Sequence, residues 1–266
     1  MKGNEAIAIS AIRNGADGYF GYPITPQSEV MEHLMAEMPW EKTGMVVLQA
    51  ESEVASINMV YGGAATGKKV MTSSSSPGMS LMQEGVTYLA GAELPCLLVN
   101  VMRGGPGLGT IQPSQADYFQ TVRGGGHGDY QLYTLAPASV QEMYDFVFKA
   151  WDIAFKYRNP VMILSDGAIG QVMEKVYVGD YVPRWTDEEI AKNAPWAAFG
   201  KPAHRDHNIV TSLELDSSKQ EKNNHRFQAK YREMEKNMTR IILADALVFV
   251  LYLICAGFGW AVLKVI

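Results

Sequence analysis

The feature that most constrains the fold of this chain is a regular alternation of short apolar segments with helical ones over residues 1–166. Helical periodicity fills the intervals between the segments GYFGY, MVVLQA, KVMTSS, PCLLVNVM, YQLYTLAP and PVMILSD, which have the pattern of buried strands. Strands separated by helices pair in parallel, and their sheet needs cover on both faces. We therefore expect an α/β fold, a doubly wound and mostly parallel sheet with helices on both faces.

Two helix starts in this region carry recognisable end signals. The stretch NEAIAISAIRNG predicts a helix with Asn4 as N-cap and Gly15 just after the last turn. In TPQSEVMEHLMAEM, Thr25 and Pro26 are a good pair for the N-cap and the first helical position. Thr25 is therefore expected to serve in part as a helix cap.

Polar residues are concentrated directly after the predicted strands. The stretches PITPQSE, AESE, SSSSPG and RGGPGLGTIQPSQ each follow one of them. In open parallel sheets, ligands bind where the carboxyl ends of the strands meet their loops. These four stretches are therefore the candidate lining of a binding site.

The character of the sequence changes twice after the alternating region. We predict a core domain at residues 1–175, an extended connector with a charged helix at residues 176–237, and an apolar tail at residues 238–266. Within the tail, residues 246–263 are uncharged and long enough for a membrane span. They also fit a strand followed by a turn, and both interpretations stay open.

Composition excludes several classes of function. The net charge is −5 and the basic residues are scattered, so a nucleic-acid partner is not expected. The two cysteines, Cys96 and Cys255, are too few and too far apart for a disulfide framework or a set of cluster ligands. Together with an N-terminus that lacks the apolar run of a signal peptide, this predicts a cytoplasmic location.

Two glycine-rich stretches imitate nucleotide-binding motifs. Residues 62–68 have the spacing of a phosphate-binding loop, but Lys69 replaces the serine or threonine that would hold magnesium. These glycines also end a helix and precede a strand, the reverse of the required order. Residues 103–109, RGGPGLG, do not match a dinucleotide fingerprint and are interpreted as a mobile substrate or cofactor loop.

Metal binding by this chain is not expected. His204 and His207 are two residues apart, and His127 lies close to Asp129, but neither pair has a third ligand nearby in the sequence. The serine run at residues 73–76 lacks the pattern of a nucleophile elbow. We interpret it as a small polar surface against which a cofactor rests.

Glu51 and Glu53 lie where a strand gives way to a helix. A helix N-terminus favours an ionised carboxylate, whereas the apolar residues that follow favour a protonated one. Such opposed influences are common where a carboxyl group handles a proton. From position alone, decoration of a helix start and an acid–base role both remain open for these two glutamates.

Five stretches, taken in order, resemble one known family. They are YPITPQSE, QAESEVASINMVYGGAATG, TSSSSPGMSLMQEG, AGAELPCLLVNVMRGGPGLG and QPSQADYFQ. Together they are similar to the pyrimidine-binding domain of 2-oxoacid:ferredoxin oxidoreductases. The resemblance is to α-type subunits acting on 2-oxoglutarate or on branched-chain 2-oxoacids such as 2-oxoisovalerate, and it covers residues 1 to about 236.

The resemblance implies a shared active site. Members of this family use thiamine diphosphate to convert a 2-oxoacid and coenzyme A to acyl-CoA and CO₂, with reduction of ferredoxin. We therefore expect a β subunit that carries the diphosphate and Mg²⁺ site, a ferredoxin-like subunit for iron–sulfur clusters, and a γ subunit. Neither the metal nor the clusters are expected on this chain.

The resemblance also assigns roles residue by residue. Glu53, and not Glu51, matches the glutamate that hydrogen-bonds the pyrimidine N1′ atom and favours the imino form of the cofactor. Thr25 matches a substrate contact, and Arg103 matches an arginine that binds the substrate carboxylate. Expected neighbours of the cofactor, besides Glu53, are Tyr22, Pro23, Ile24 and Ser74.

The tail departs from the family pattern. Relatives continue into a further α/β domain, and DALVFV resembles its first strand, but the continuation is lost beyond Val250. A truncated or frame-shifted end is one interpretation, and a membrane tether is another. The alternative function is accordingly a non-catalytic, truncated or membrane-tethered scaffold subunit of the same fold.

Overall fold

The computed structural model describes residues 1–201 and 206–256, with side chains as far as residue 237. Within these residues the chain forms one six-stranded sheet in the order β2-β1-β3-β4-β6-β5, and every pairing in it is parallel. The strands are β1 (Gly18–Gly21), β2 (Val46–Gln49), β3 (Val70–Ser74), β4 (Cys96–Met102), β5 (Tyr133–Leu135) and β6 (Pro160–Asp166). The predicted α/β class with a parallel sheet is confirmed.

Helices connect the strands and cover the sheet. They are α1 (Gly3–Arg13), α2 (Ser28–Glu37), α3 (Pro39–Lys42), α4 (Glu53–Ala65), α5 (Ser76–Gly91), α6 (Tyr118–Val122), α7 (Val140–Tyr157), α8 (Gly167–Gln171), α9 (Asp187–Asn193) and α10 (Ser217–Ala256). The short helices α3 and α6 were not expected, since neither is long enough to show helical periodicity in the sequence.

The predicted helix caps were wrong at two positions. Helix α1 has Lys2 at its N-cap, and the Asn4 side chain is buried and donates to the Pro26 carbonyl over 2.7 Å instead. Helix α2 has Gln27 at its N-cap, so Thr25 and Pro26 precede the helix as part of a turn. Gly15 does follow the last turn of α1, with a left-handed φ of 64° that favours glycine.

The two faces of the sheet carry different helices. Helices α4 and α5 pack on one face and share a core with the strands through Ile57, Val60, Val70, Met82, Val86, Leu89, Leu98 and Met162. Helix α1 packs against α2 and α7, where the Ser10 hydroxyl donates to the Tyr144 carbonyl over 2.6 Å. Consecutive residues of a strand point to opposite faces of the sheet, so two neighbours at a strand end face helices on different sides of the sheet.

The described residues up to Leu213 form one compact unit, and those from Glu214 onward form a second. In the first unit, the segment after β6 returns along the surface, with the Val182 N–H donating to the Arg13 carbonyl over 2.7 Å. Across the part of the chain that the structure describes, no helix combines the length and apolar character needed to cross a membrane. Residues 257–263 of the span candidate lie outside the described residues, and so do the side chains of residues 246–256.

Candidate functional site

Glu53 is the first residue of α4 and lies at the carboxyl edge of the sheet. Its side chain is 6% exposed, whereas the neighbouring Glu51 is exposed. Ser52 caps the helix by accepting from the Ala55 N–H over 3.1 Å. No described residue donates a hydrogen bond to the Glu53 carboxylate or forms an ion pair with it. A buried carboxylate without a protein partner is costly, so this group is suited to a polar ligand.

Glu53 faces Gly78 and Ser74 across the gap between α4 and α5. A Cβ atom placed on Gly78 would lie 2.7 Å from Glu53 Oε1 and closer still to Ser74 Oγ. Only a residue without a side chain fits there. Ser74 is fully buried, and its hydroxyl has no hydrogen-bond partner in the structure. The structure therefore brings two of the predicted residues, Glu53 and Ser74, together.

Asn100 extends this polar surface and was not predicted. It pairs in register with Ser74 on the neighbouring strand, so both side chains point to the same face of the sheet. The Asn100 amide donates to Asp117 Oδ2 over 2.9 Å, while its buried Oδ1 atom lacks a partner. The only sequence signal was an amide inside the apolar strand CLLVNVM, at a position where a buried polar group needs a purpose.

Arg103, just beyond β4, connects two of the loops at this edge. Its Nη1 atom donates to the Thr25 carbonyl over 3.0 Å, and its Nη2 atom donates to the Leu108 carbonyl over 3.1 Å. The Ser76 hydroxyl fixes the arginine backbone through bonds of 3.0 and 3.1 Å. The buried Nε atom has no partner. Three of the five guanidinium donors thus stay uncommitted and suit an anion.

The loop before α2 is held by its backbone. Arg103 binds the carbonyl of Thr25, and the next carbonyl, that of Pro26, accepts from Asn4 and from Gln171 over 2.7 and 3.3 Å. The side chains of Pro23 and Thr25 are exposed, and those of Tyr22 and Ile24 are half-buried. The structure thus joins Thr25 to Arg103, while the loop side chains remain accessible.

Glu29 belongs to the support of this loop. It accepts from Asn4 over 2.9 Å and from Gln171 over 2.7 Å, and Lys2 lies 3.5 Å away. Burial raises the pKa of Glu29, but the hydrogen bonds from Gln171 and Asn4 and the charge of Lys2 outweigh burial and hold the pKa below its usual range. Glu29 is therefore a structural carboxylate that ties α2 to α1 and α8.

The phosphate-loop imitation has a structural explanation. Residues 62–65 end α4, and Lys69 precedes β3, in the order that the sequence predicted. The Lys69 ammonium is buried and donates to the backbone and side-chain oxygens of Asn14 over 3.1 and 3.3 Å. Burial lowers its pKa. Lys69 thus lies at the amino end of the sheet, whereas Glu53 lies at the carboxyl edge.

The histidine and cysteine candidates remain unconnected. Over the described residues, no group of three or more His, Cys, Asp or Glu side chains is placed to hold a metal ion. His127, Asp129 and His207 are exposed, and His204 lies outside the described residues. Cys96 is buried within β4, and burial raises the pKa of its thiol well above the usual range.

The fold and this edge define a class: a parallel α/β domain that offers a buried carboxylate and small polar residues to a cofactor. The chain belongs to the pyruvate flavodoxin/ferredoxin oxidoreductase family, thiamine diphosphate-binding, whose model matches residues 9–240. The resemblance inferred from the five stretches is thereby confirmed. The unpaired atoms of Ser74 and Asn100 and the side-chain-free surface at Gly78 fit a flat, polar heterocycle such as the pyrimidine of that cofactor.

Curated relatives are subunits of such oxidoreductases. The chain is 49% identical to ketoisovalerate oxidoreductase subunit VorB of Methanothermobacter thermautotrophicus over 243 residues, covering 90% of this chain and 66% of the relative. It is 45% identical to 2-oxoglutarate synthase subunit KorA of Methanocaldococcus jannaschii over 183 residues, or 68% and 49% of the two chains. The chain thus spans about two thirds or less of the curated relatives it matches.

A solved structure has the same fold. The 2-oxoglutarate:ferredoxin oxidoreductase of Magnetococcus marinus, with 2-oxoglutarate, coenzyme A and succinyl-CoA bound, superposes with a TM-score of 0.69 at 29% identity. The match covers 90% of this chain and 44% of that one. Relatives of both substrate types therefore share this domain.

Proposed function

We propose that this chain supplies the pyrimidine side of the active site in a thiamine diphosphate-dependent 2-oxoacid:ferredoxin oxidoreductase. The enzyme converts a 2-oxoacid of the branched-chain or 2-oxoglutarate type and coenzyme A to acyl-CoA and CO₂, with two electrons passing to ferredoxin. The observation that carries the proposal is the buried Glu53 carboxylate, which has no donor among the described residues and lies beside Gly78 and the unpaired Ser74 hydroxyl.

Glu53 is proposed to hold a proton against a ring nitrogen of the bound cofactor. When bound, the cofactor supplies carbanion chemistry that no protein side chain offers. Glu53 suits its role because its carboxyl group is shielded from water and opens onto a surface free of side-chain bulk at Gly78. Ser74 contributes a hydroxyl that donates or accepts as the ligand requires.

Arg103 and the loop at residues 22–25 are proposed to meet the substrate. The free Nε donor and the second hydrogens of Nη1 and Nη2 suit a carboxylate, and the bonds to Thr25 and Leu108 keep the guanidinium in place. Thr25 offers an exposed hydroxyl next to that anion site. Tyr22, Pro23 and Ile24 line the cofactor side of the same loop.

Partner subunits complete this proposal. A β subunit carries the diphosphate and Mg²⁺ site, a ferredoxin-like subunit carries the iron–sulfur clusters, and a γ subunit completes the assembly. Oxidoreductase subunit names among the relatives, and the shared domain in the solved enzyme, support a heteromeric complex. The complex is proposed to act in the cytoplasm.

The test compares two neighbouring glutamates in the assembled complex. Glu53→Gln keeps the shape of the side chain but loses its proton chemistry, so 2-oxoacid-dependent ferredoxin reduction should fall by about a hundredfold or more. Glu51→Gln alters an exposed carboxylate two residues away and should leave the rate at the parent level. Equal rates for parent and Glu53→Gln, or no 2-oxoacid-dependent electron transfer in the parent complex, would contradict the proposal.

A further inference from the structure

A buried chain of hydrogen bonds runs beneath the loop at residues 22–25. The Tyr19 hydroxyl lies 2.8 Å from Ser73 Oγ, and Ser73 Oγ lies 2.6 Å from Gln27 Oε1. The Gln27 Nε2 atom in turn donates to the Tyr22 carbonyl over 3.0 Å. Tyr19, Ser73 and Gln27 each have no exposed surface. The chain therefore links the body of the sheet to the backbone of the loop.

The direction of every bond in this chain follows from donor and acceptor chemistry. A carbonyl oxygen only accepts, so the amide nitrogen of Gln27 must face Tyr22 and its oxygen must face Ser73. Ser73 has a single hydroxyl proton, which it gives to Gln27. Tyr19 must therefore donate to Ser73, and burial supports this by raising the pKa of Tyr19 so that its hydroxyl keeps the proton.

Gly21 makes room for this chain of hydrogen bonds. A Cβ atom on Gly21 would overlap the Tyr19 ring and hydroxyl, because the two residues lie on the same face of β1. Glycine at position 21 is thus what lets the Tyr19 side chain lie along its own strand and reach Ser73. Tyr19, Gly21 and Ser73 together present one fixed donor to Gln27.

The same strand end supports both sides of the site. Ser73 and Ser74 are consecutive in β3, so their side chains point to opposite faces of the sheet. Ser73 bonds Gln27 beneath the loop, and Ser74 lies against Glu53 across Gly78. A shift of the loop at residues 22–25 relative to β3 would therefore change the distance between this loop and the Glu53 carboxylate.

We infer that Gln27 is a positioning residue that sets the place of the 22–25 loop relative to Glu53, with Ser73 and Tyr19 holding its amide in one orientation. This inference rests on the proposed function, because it assigns the loop to the substrate and cofactor. Arg103 binds the loop beside the exposed edge, whereas Gln27 is wholly enclosed by the fold, as is Asn4, which binds the adjoining Pro26 carbonyl. Gln27 has no exposed surface through which its side chain could contact substrate or cofactor.

The experiment replaces the amide with an apolar side chain of similar length. In the complete complex, Gln27→Met should raise the KM for 3-methyl-2-oxobutanoate or 2-oxoglutarate by about tenfold, because one misplaced hydrogen-bonded contact has that effect on binding. Without substrate or cofactor, the backbone amide hydrogens of residues 20–27 should exchange with solvent faster in Gln27→Met than in the parent. Peptides from α7 should keep the parent rates. Gln131→Met, an exposed matched control, should change neither quantity.

Two further variants keep the test decisive if Gln27→Met fails to fold. Ser73→Ala removes the donor to Gln27, and Gly21→Ala displaces Tyr19, so each should change KM and local exchange in the same direction. A parent-like KM with parent-like exchange in 20–27 would overturn the inference, and so would faster exchange throughout the chain with KM unchanged. If the parent complex lacks 2-oxoacid activity, the proposed function fails, while the exchange of peptide 20–27 still decides the role of Gln27.

Discussion

At the scale of single residues, the absence of a side chain at Gly78 leaves open space beside Glu53. Glycine leaves Glu53 Oε1 and Ser74 Oγ facing an open surface, and a methyl group at position 78 would occupy it. Gly78 lies in the first turn of α5, where its φ is not left-handed, so backbone conformation does not require it. The lack of room for a Cβ atom beside Glu53 and Ser74 therefore explains why residue 78 is a glycine.

Gly78→Ala should therefore reduce function more than stability. The added Cβ would displace the Glu53 carboxylate, and a displacement of about 1 Å lowers a rate by up to about a hundredfold. Alanine also favours the helix by about 1 kcal/mol, which offsets part of the strain. Ferredoxin reduction by the complex and urea unfolding of the chain measure the two effects. An active variant with lowered stability would show that Gly78 serves packing alone.

Some features of this site could be predicted from the sequence and others could not. A motif distinguished Glu53 from Glu51, and the structure buries Glu53 and exposes Glu51, while the role of Glu53 stays a prediction. The run of serines predicted a small polar surface, but not that Ser73 and Ser74 serve opposite faces, because that depends on register within the sheet. Arg103 was expected to bind an anion, and its bonds to two loop carbonyls depend on tertiary contacts that no local pattern encodes.

At the scale of elements, α4 and α5 cross closely because Gly85 has no side chain. A Cβ on Gly85 would overlap the side chain of Ile57, which is 1% exposed in the shared core. The sequence predicted both helices from their periodicity, but not their crossing point. In contrast, the start of α2 was misplaced, because Thr25 and Pro26 match a cap locally while tertiary bonds hold them in a turn.

Two glycines in these helices give opposite predictions. Gly85→Ala overpacks the crossing and should lower the free energy of unfolding by about 1–3 kcal/mol, reduced by the better helix propensity of alanine. Gly62 in α4 is exposed with no atom near its missing Cβ, so Gly62→Ala should raise the free energy by about 0.5–1 kcal/mol. Urea denaturation measures both. Stabilisation by Gly85→Ala would contradict the close crossing.

At the scale of the first compact unit, residues distant in sequence close the amino end of the sheet. Asp17 is 6% exposed and lies 3.4 Å from Arg184 Nη1 and 3.8 Å from Lys68 Nζ, and it accepts from the Lys69 N–H over 2.9 Å. Burial raises the pKa of Asp17, outweighing the lowering by the Lys69 N–H and the nearby cations. The Asp17 carboxylate thus binds Arg184, which lies in the segment that returns after β6, although burial disfavours the ionised form of the carboxylate.

Arg184→Met should destabilise the chain in a pH-dependent way. Loss of the cation raises the pKa of Asp17 further and should lower the free energy of unfolding by about 1 kcal/mol at pH 7. An acid with a raised pKa contributes stability below its unfolded pKa, about 3.9, and loses it as pH rises through the folded pKa. The defect should therefore shrink towards pH 4. Thermal or urea unfolding at several pH values measures it.

The matched control removes the titrating group. In an Asp17→Asn background, Arg184→Met should have an effect that no longer changes between pH 4 and pH 7, because the amide at position 17 has no proton to exchange. A pH-independent defect in the single variant would show that Arg184 acts by packing rather than through the carboxylate.

The way in which Arg103 is held has a consequence for how this domain diversifies. The guanidinium binds Thr25 and Leu108 through their carbonyl groups, which every amino acid possesses. Replacing either side chain therefore leaves both bonds available. The side chain of residue 108 can therefore change without loss of its bond to Arg103, whereas the side chain of residue 25 is constrained by its proposed contact with substrate and not by its bond to Arg103. Enzyme engineers seeking a new acid specificity should randomise these two positions together and keep Arg103 constant.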